Sequence, residues 1–257
     1  MTIQLLIELF TVHWHIIILF FIVAVLYSSV GFGGGSSYLA ILALTTIAFP
    51  KIRAIALLCN IVVVTGNVFL YAKSNIYNWK RTLPLTLFSV PLAFLGGFLR
   101  INQTFFFIIL AITLFIAAII MWTSKKEYLT HKENLSSLKN IFFGGFIGFI
   151  SGMVGIGGGI FLAPLLHLIN WDTSKKIAAT ASFFILLNSC SGLLGQAFNP
   201  DFIIDWKLTM ILLISVFIGG QIGANMSNKL LKSSQLKKAT AILIAFVSIR
   251  ILYKHFF

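Results

Sequence analysis

Acidic side chains are scarce in this sequence: six of 257 residues are Asp or Glu, namely Glu8, Glu127, Glu133, Asp172, Asp201 and Asp205. None lies clearly in the middle of an apolar run. Paired carboxylates for acid–base catalysis are therefore missing, as is the intramembrane carboxylate that marks a familiar proton or sodium path. Cysteine is rarer still. Cys59 and Cys190 both fall in apolar stretches, where a thiol packs as a small hydrophobe, and two cysteines build no zinc framework. Neither HExxH nor GxGD occurs, so no metal, no cofactor and no catalytic set is expected, and an enzyme is not the favoured reading.

What is abundant is apolar surface. Hydrophobic residues make up 59% of the chain, charged ones 10%, and the mean hydropathy is +1.00; a soluble domain of this size cannot bury so much. The net charge of +13 comes from 19 basic residues placed mostly in short connections between long apolar stretches. That spacing is a signature of orientation in a bilayer rather than of nucleic-acid binding. The first apolar stretch has no basic leader and no evident small-residue cleavage site, so it is expected to be retained.

The chain repeats itself. GFGGG at Gly31 to Gly35 recurs as GIGGG at Gly155 to Gly159, and further matches follow in the same order: Lys51-Ile52 with Lys176-Ile177, Asn60 with Asn188, Gly66 with Gly195, Trp79-Lys80 with Trp206-Lys207, and Gly96-Gly97 with Gly219-Gly220. A duplicated unit of about half the chain is the usual construction of secondary transporters. The division expected is a first transmembrane repeat at 1–122, a basic cytoplasmic linker at 123–139 and a second transmembrane repeat at 140–257.

Each half holds three apolar segments near the ~20 residues needed to cross a bilayer: 53–72, 83–99 and 104–122, then 177–198, 208–226 and 239–253. Ahead of them lies an apolar pair split by the glycines, 14–30 with 36–49 and 141–154 with 160–169, several members of which are short for a crossing. If each pair forms a hairpin, the halves are inverted; if each makes one crossing, they point the same way. Basic residues discriminate. With the linker inside, the hairpin arrangement puts 13 of the 19 basic residues in the cytoplasm, and the single-crossing arrangement 10. The fold class expected is thus an all-α integral membrane protein with two inverted-topology repeats, each a glycine-broken helical hairpin followed by three transmembrane helices.

Glycine costs about 1 kcal/mol relative to alanine inside a helix, so the chain should unwind at both clusters. Exposed backbone at membrane depth is tolerable where it is buried in protein or lines a water-filled cavity. New short helices are expected to start at Ser36-Ser37 and at Ile160-Phe161, presenting free N–H groups and positive dipole ends to an anion. The substrate-binding residues expected are Gly33, Gly34, Gly35, Ser36, Ser37 and Asn60 in the first half with Gly157, Gly158, Gly159 and Asn188 in the second. Ser36 and Ser37 would cap the first short helix and could also donate to an oxyanion. Asn60 and Asn188 could hold an anion or join helices by hydrogen bonds. Lone glycine pairs such as Gly96-Gly97, Gly144-Gly145 and Gly219-Gly220 are expected to serve helix packing.

The sequence resembles the sulfite exporter TauE/SafE family, also called toluene sulfonate uptake permeases. The resemblance rests on SSVGFGGGSSYLAILAL at Ser28 to Leu44, on SGMVGIGGGIFLAPLL at Ser151 to Leu166 and on the duplicated frame. It implies a small bacterial or archaeal multi-pass protein of the cytoplasmic membrane that moves sulfite, an organosulfonate or a related anion, with Pro164 a motif proline; the first half has Leu42 in the region matching Pro164. The function expected is a permease for a small anionic substrate working by alternating access, with an anion channel, or a carrier for another sulfur-containing or carboxylate anion, as the alternatives. The lipid bilayer is the expected partner, nucleic acid is not, and a homo-oligomer is left open.

Overall fold

The computed structural model describes residues 3–123, 137–169, 171–200, 202–226 and 233–256. Most of the expected 123–139 linker lies outside them. The described residues form ten α-helices and no strand: α1 (Ile3–Ser29), α2 (Gly35–Ala43), α3 (Phe49–Lys73), α4 (Trp79–Phe98), α5 (Gln103–Thr123), α6 (Ser137–Val154), α7 (Gly159–Leu168), α8 (Ser174–Ala197), α9 (Trp206–Asn225) and α10 (Ser233–Phe256). The second five repeat the first in order and kind, a helix, a short helix beyond a glycine break, then three longer ones.

Six helices are long and apolar enough to cross a bilayer, counting Thr11–Ser29 of α1 together with α3, α4, residues Gln103–Ile120 of α5, α8 and α9; Ile141–Val154 and Ile244–Tyr253 are shorter apolar stretches. The protein is a multi-pass membrane protein, and its surface agrees. Phe142 is 71% exposed, Phe69 67% and Phe246 59%, where each would cost roughly 1.5–3 kcal/mol if it faced water. Polar groups are turned inward instead, with Asn60, Thr82, Ser89, Thr180, Ser182 and Asn188 buried, as a hydrocarbon solvent demands.

Small residues set the helix contacts. Gly144, Gly148 and Gly152 of α6 lie against the carbonyls of Leu85, Ser89 and Ala93 of α4, and both numberings rise together, so the two helices run parallel. The α4–α8 contact rises in the same way, from Thr82 with Thr180 (2.9 Å) through Ser89 with Asn188 (2.8 Å) to Phe94 with Gly195. On the other side, Ile17 meets Ser215 (2.9 Å), Phe21 meets Gly219 and Val25 meets Gly223, so α1 runs parallel to α9. Helix α3 does so too, from Lys51 with Asp205 to Val63 with Gly220. Arg53 near the start of α3 sits 3.5 Å from the Gly97 carbonyl at the end of α4, so those two run oppositely. Because α1 and α3 share a direction, α2 must bring the chain back between them, and each broken pair is a hairpin. The same holds for α6, α7 and α8.

Candidate functional site

Both hairpins bend at a left-handed glycine. Gly31 has φ +82° and Gly155 φ +89°, values that a side chain disfavours. The N–H of the next residue reaches back five positions, Phe32 to the Tyr27 carbonyl (2.9 Å) and Ile156 to the Ser151 carbonyl (3.0 Å). This closes the end of α1 and of α6 with an apolar residue just beyond the glycine, the arrangement of a Schellman cap.

The short helices then begin one residue earlier than the sequence suggested. Gly34 and Gly158 are the N-caps, and neither helix has a side-chain cap. The expectation that Ser36 and Ser37 cap α2 is therefore corrected. The Ser37 hydroxyl instead meets the Tyr27 hydroxyl at 2.8 Å, because both serines already lie within the first helical turn and cannot reach back to it. With glycine caps, the N–H groups of Gly35, Ser36, Gly159 and Ile160 are given to no backbone carbonyl among the described residues.

These two N-terminal ends open on one cavity of about 30 Å³. Gly33, Gly35 and Ser36 border it from the first half, Gly159 and Ile160 from the second, and Tyr27, Phe32, Ile156, Pro164 and Ile185 make the remaining wall largely apolar. The other two motif glycines that cap the helices point elsewhere: Gly34 packs on Val23 and Tyr38, and Gly158 on Phe184 and Ile147. Gly157 lies between Asn60 and Ser189.

Asn60 joins the two breaks. Its Nδ2 donates to the Ile156 carbonyl at 2.7 Å, and Gly33, Gly35 and Gly157 are all so close to its amide that a methyl on any of them would collide with it. Its Oδ1 is buried without a partner. Asn188, its counterpart in the duplication, does something else. Its Nδ2 donates to Ser89 Oγ of α4 and to the Phe184 carbonyl, both at 2.8 Å. Equivalent positions in sequence have thus become a bridge between breaks in one half and a helix-to-helix clamp in the other.

Two further serines of α8 reach the breaks: Ser189, a polar candidate in the sequence, and Ser182, which the sequence reading missed. Ser182 donates to the Gly31 carbonyl, and the Ser189 hydroxyl is buried without a partner beside Gly157. Their spacing with Ile185 places all three on one face of α8, a signal diluted by the other polar residues of the helix, Thr180, Asn188, Ser191 and Gln196. Among the described residues no group of three or more His, Cys, Asp or Glu could hold a metal ion.

Charged pairs lie at the two ends of the bundle. At one end Lys51 meets Asp205 at 3.3 Å. At the other, Asp172 accepts from the Thr173 N–H (2.8 Å) and the Asn78 amide (3.2 Å) and faces Lys176 at 3.6 Å. Burial raises the pKa of each carboxyl, but these donors and cations outweigh it and hold both below the usual carboxylate range.

Comparison with known proteins agrees with this architecture. The family pattern described as Sulfite exporter TauE/SafE matches residues 16–251. A probable membrane transporter protein of Sinorhizobium fredii is 31% identical over 244 residues, covering 92% of this chain and 96% of that protein. One of Methanocaldococcus jannaschii is 27% identical over 239 residues, 84% of this chain and 86% of its own. One of Bacillus subtilis is 25% identical over 111 residues, 43% and 40% of the two chains. No solved structure matches.

Proposed function

Because this chain belongs to the sulfite exporter TauE/SafE family, whose relatives are named membrane transporters rather than enzymes, we propose that it is a secondary transporter for a small oxyanion of the sulfite or organosulfonate class. The observation that carries this reading is the shared cavity. Two helix N-termini, each with unclaimed N–H groups and a positive dipole end, border one small space, and such ends favour an anion without requiring a basic side chain.

In this reading the N–H groups of Gly35, Ser36, Gly159 and Ile160 hold the oxyanion, the Ser36 hydroxyl adds a donor, and Asn60 Nδ2 exchanges the Ile156 carbonyl for the substrate. The contact registers support inverted-topology repeats, since α1 and α3 run against their counterparts α6 and α8. Inversion gives a two-fold relation in the membrane plane, with one hairpin entering from each side, and rocking of one half against the other then alternates access. The bacterial and archaeal sources of the relatives support the cytoplasmic membrane of such a cell, and the positive-inside rule supports a basic 123–139 linker on its inner face.

The test is flux in proteoliposomes loaded with sulfite, methanesulfonate, thiosulfate or acetate. Saturable uptake with counterflow of labelled substrate against excess unlabelled substrate is the expected result. Flux that never shows counterflow would make the protein a channel, and no flux of any of the four anions would end the anion reading.

A further inference from the structure

A second cavity of about 30 Å³ lies at the end of the molecule where α3 begins, bordered by Arg53, Gln196 and Asn199 among Phe49, Ile101 and Phe202. Arg53 is 4% exposed, and no ion pair joins it to a carboxylate among the described residues. Its Nη2 faces the Gly97 and Gly152 carbonyls at 3.5 Å each, the long limit of a hydrogen bond, and its guanidinium lies 6.0 Å from the Phe106 ring centre. The Arg53 Nε has no partner. Gln196, also 4% exposed, has an unpartnered Nε2. Two buried N–H donors, one of them cationic, therefore border the same small space with nothing to receive them. A buried charge is costly until an opposite charge or strong acceptors meet it.

Among the described residues no carboxylate meets Arg53, and the long carbonyl contacts of Arg53 occupy one guanidinium nitrogen only. We propose that the cavity is an anion-binding antechamber in which Arg53 and Gln196 hold a small oxyanion beside the central site. A guanidinium presents donors in a planar fork that suits an oxyanion. The location fits a waiting site. Arg53 precedes Asn60 by seven residues on α3, a rise of about 10 Å, and its backbone packs against Gly155, where the second break begins. The binding claim stands on the buried donors; its role in transport rests on the anion reading above.

The test is equilibrium dialysis of purified detergent-solubilised protein with labelled sulfate in a gluconate background, paired with sulfate-dependent thermal shift. The variants are Arg53→Gln, Arg53→Lys, Gln196→Leu and, at the cap of the short helix that opens on the central cavity, Gly158→Leu. Arg53→Gln is expected to weaken sulfate binding by about tenfold or more and Gln196→Leu by several-fold, with Arg53→Lys intermediate and Gly158→Leu retaining this binding. If Arg53→Gln does not fold, Arg53→Lys and Gln196→Leu carry the test. A merely structural arginine would lower the melting temperature while leaving the sulfate-dependent increment unchanged, and that result, or wild-type binding in Gln196→Leu, overturns the antechamber. Sulfate binding lost in the Arg53 and Gln196 variants, in a protein that shows no flux of any anion, would keep the antechamber and remove the transport reading instead.

Discussion

Asn60 Nδ2 donates a 2.7 Å hydrogen bond to the Ile156 carbonyl, so a side chain of the first half holds the backbone of the second half's break. The two glycine breaks are thereby tied together inside the membrane, where a hydrogen-bonding group without a partner is expensive. Any movement that separates them must first find this amide another acceptor.

Asn60→Ala is expected to reduce transport about tenfold or more, the loss of one hydrogen bond expressed at the substrate. Asn188→Ala should behave differently, because Asn188 bonds Ser89 on α4. It should lower stability by about 1 kcal/mol and leave transport within a few-fold of wild type. Initial uptake rates and melting temperatures of both variants decide this; equal transport defects would return Asn188 to the site.

Gly158→Leu and Gly34→Leu should both abolish uptake while the protein still inserts, but by different routes. Gly158 has φ +85°, a conformation leucine resists, whereas Gly34 has φ −93° and its added side chain would meet Val23 and Tyr38. Gly158→Ala should therefore be damaging as well, by roughly 1–2 kcal/mol of backbone strain. Membrane fractionation alongside uptake would separate lost transport from lost insertion.

Gly152→Leu should destabilise the fold itself. The Gly152 Cα lies against the Ala93 carbonyl, so a side chain there drives α4 and α6 apart, at a cost of about 1–3 kcal/mol. Gly66→Ala is the contrasting case, since its methyl would meet only the movable end of Gln221 at 3.0 Å. Detergent melting curves should show a clear drop for the first and little change for the second.

Acidification should weaken the end of the bundle held by Asp172. Its carboxyl is held below the unfolded value of about 3.9, so the stabilisation is complete above roughly pH 4 and is lost as pH falls through the folded value. Asp172→Asn should lower stability at neutral pH and flatten its dependence below pH 4. A variant with the wild-type acid profile would assign that loss to other groups.

Much of this protein is legible in its sequence. The scarcity of charge and the length of the apolar runs determined the solvent, because about 20 apolar residues per segment is a condition set by bilayer thickness. The recurrence of GFGGG as GIGGG located both breaks, because clustered glycines oppose helix continuity wherever they occur. Even the two left-handed turns were implicit in Gly31-Phe32 and Gly155-Ile156, a glycine followed by an apolar residue. What the sequence left undecided was rotation. The few polar residues of α3 are isolated among apolar ones and those of α8 spread over several faces, so neither pattern alone announces which face turns inward, and the phase comes from glycine-to-carbonyl contacts with neighbours far along the chain. Those contacts sent Asn60 across to Ile156 and Asn188 to Ser89, moved Ser37 from cap to Tyr27 partner, and brought Ser182 and Ser189 to the breaks. Duplication made the two asparagines equivalent in sequence; packing, which need not copy itself between halves, made them different.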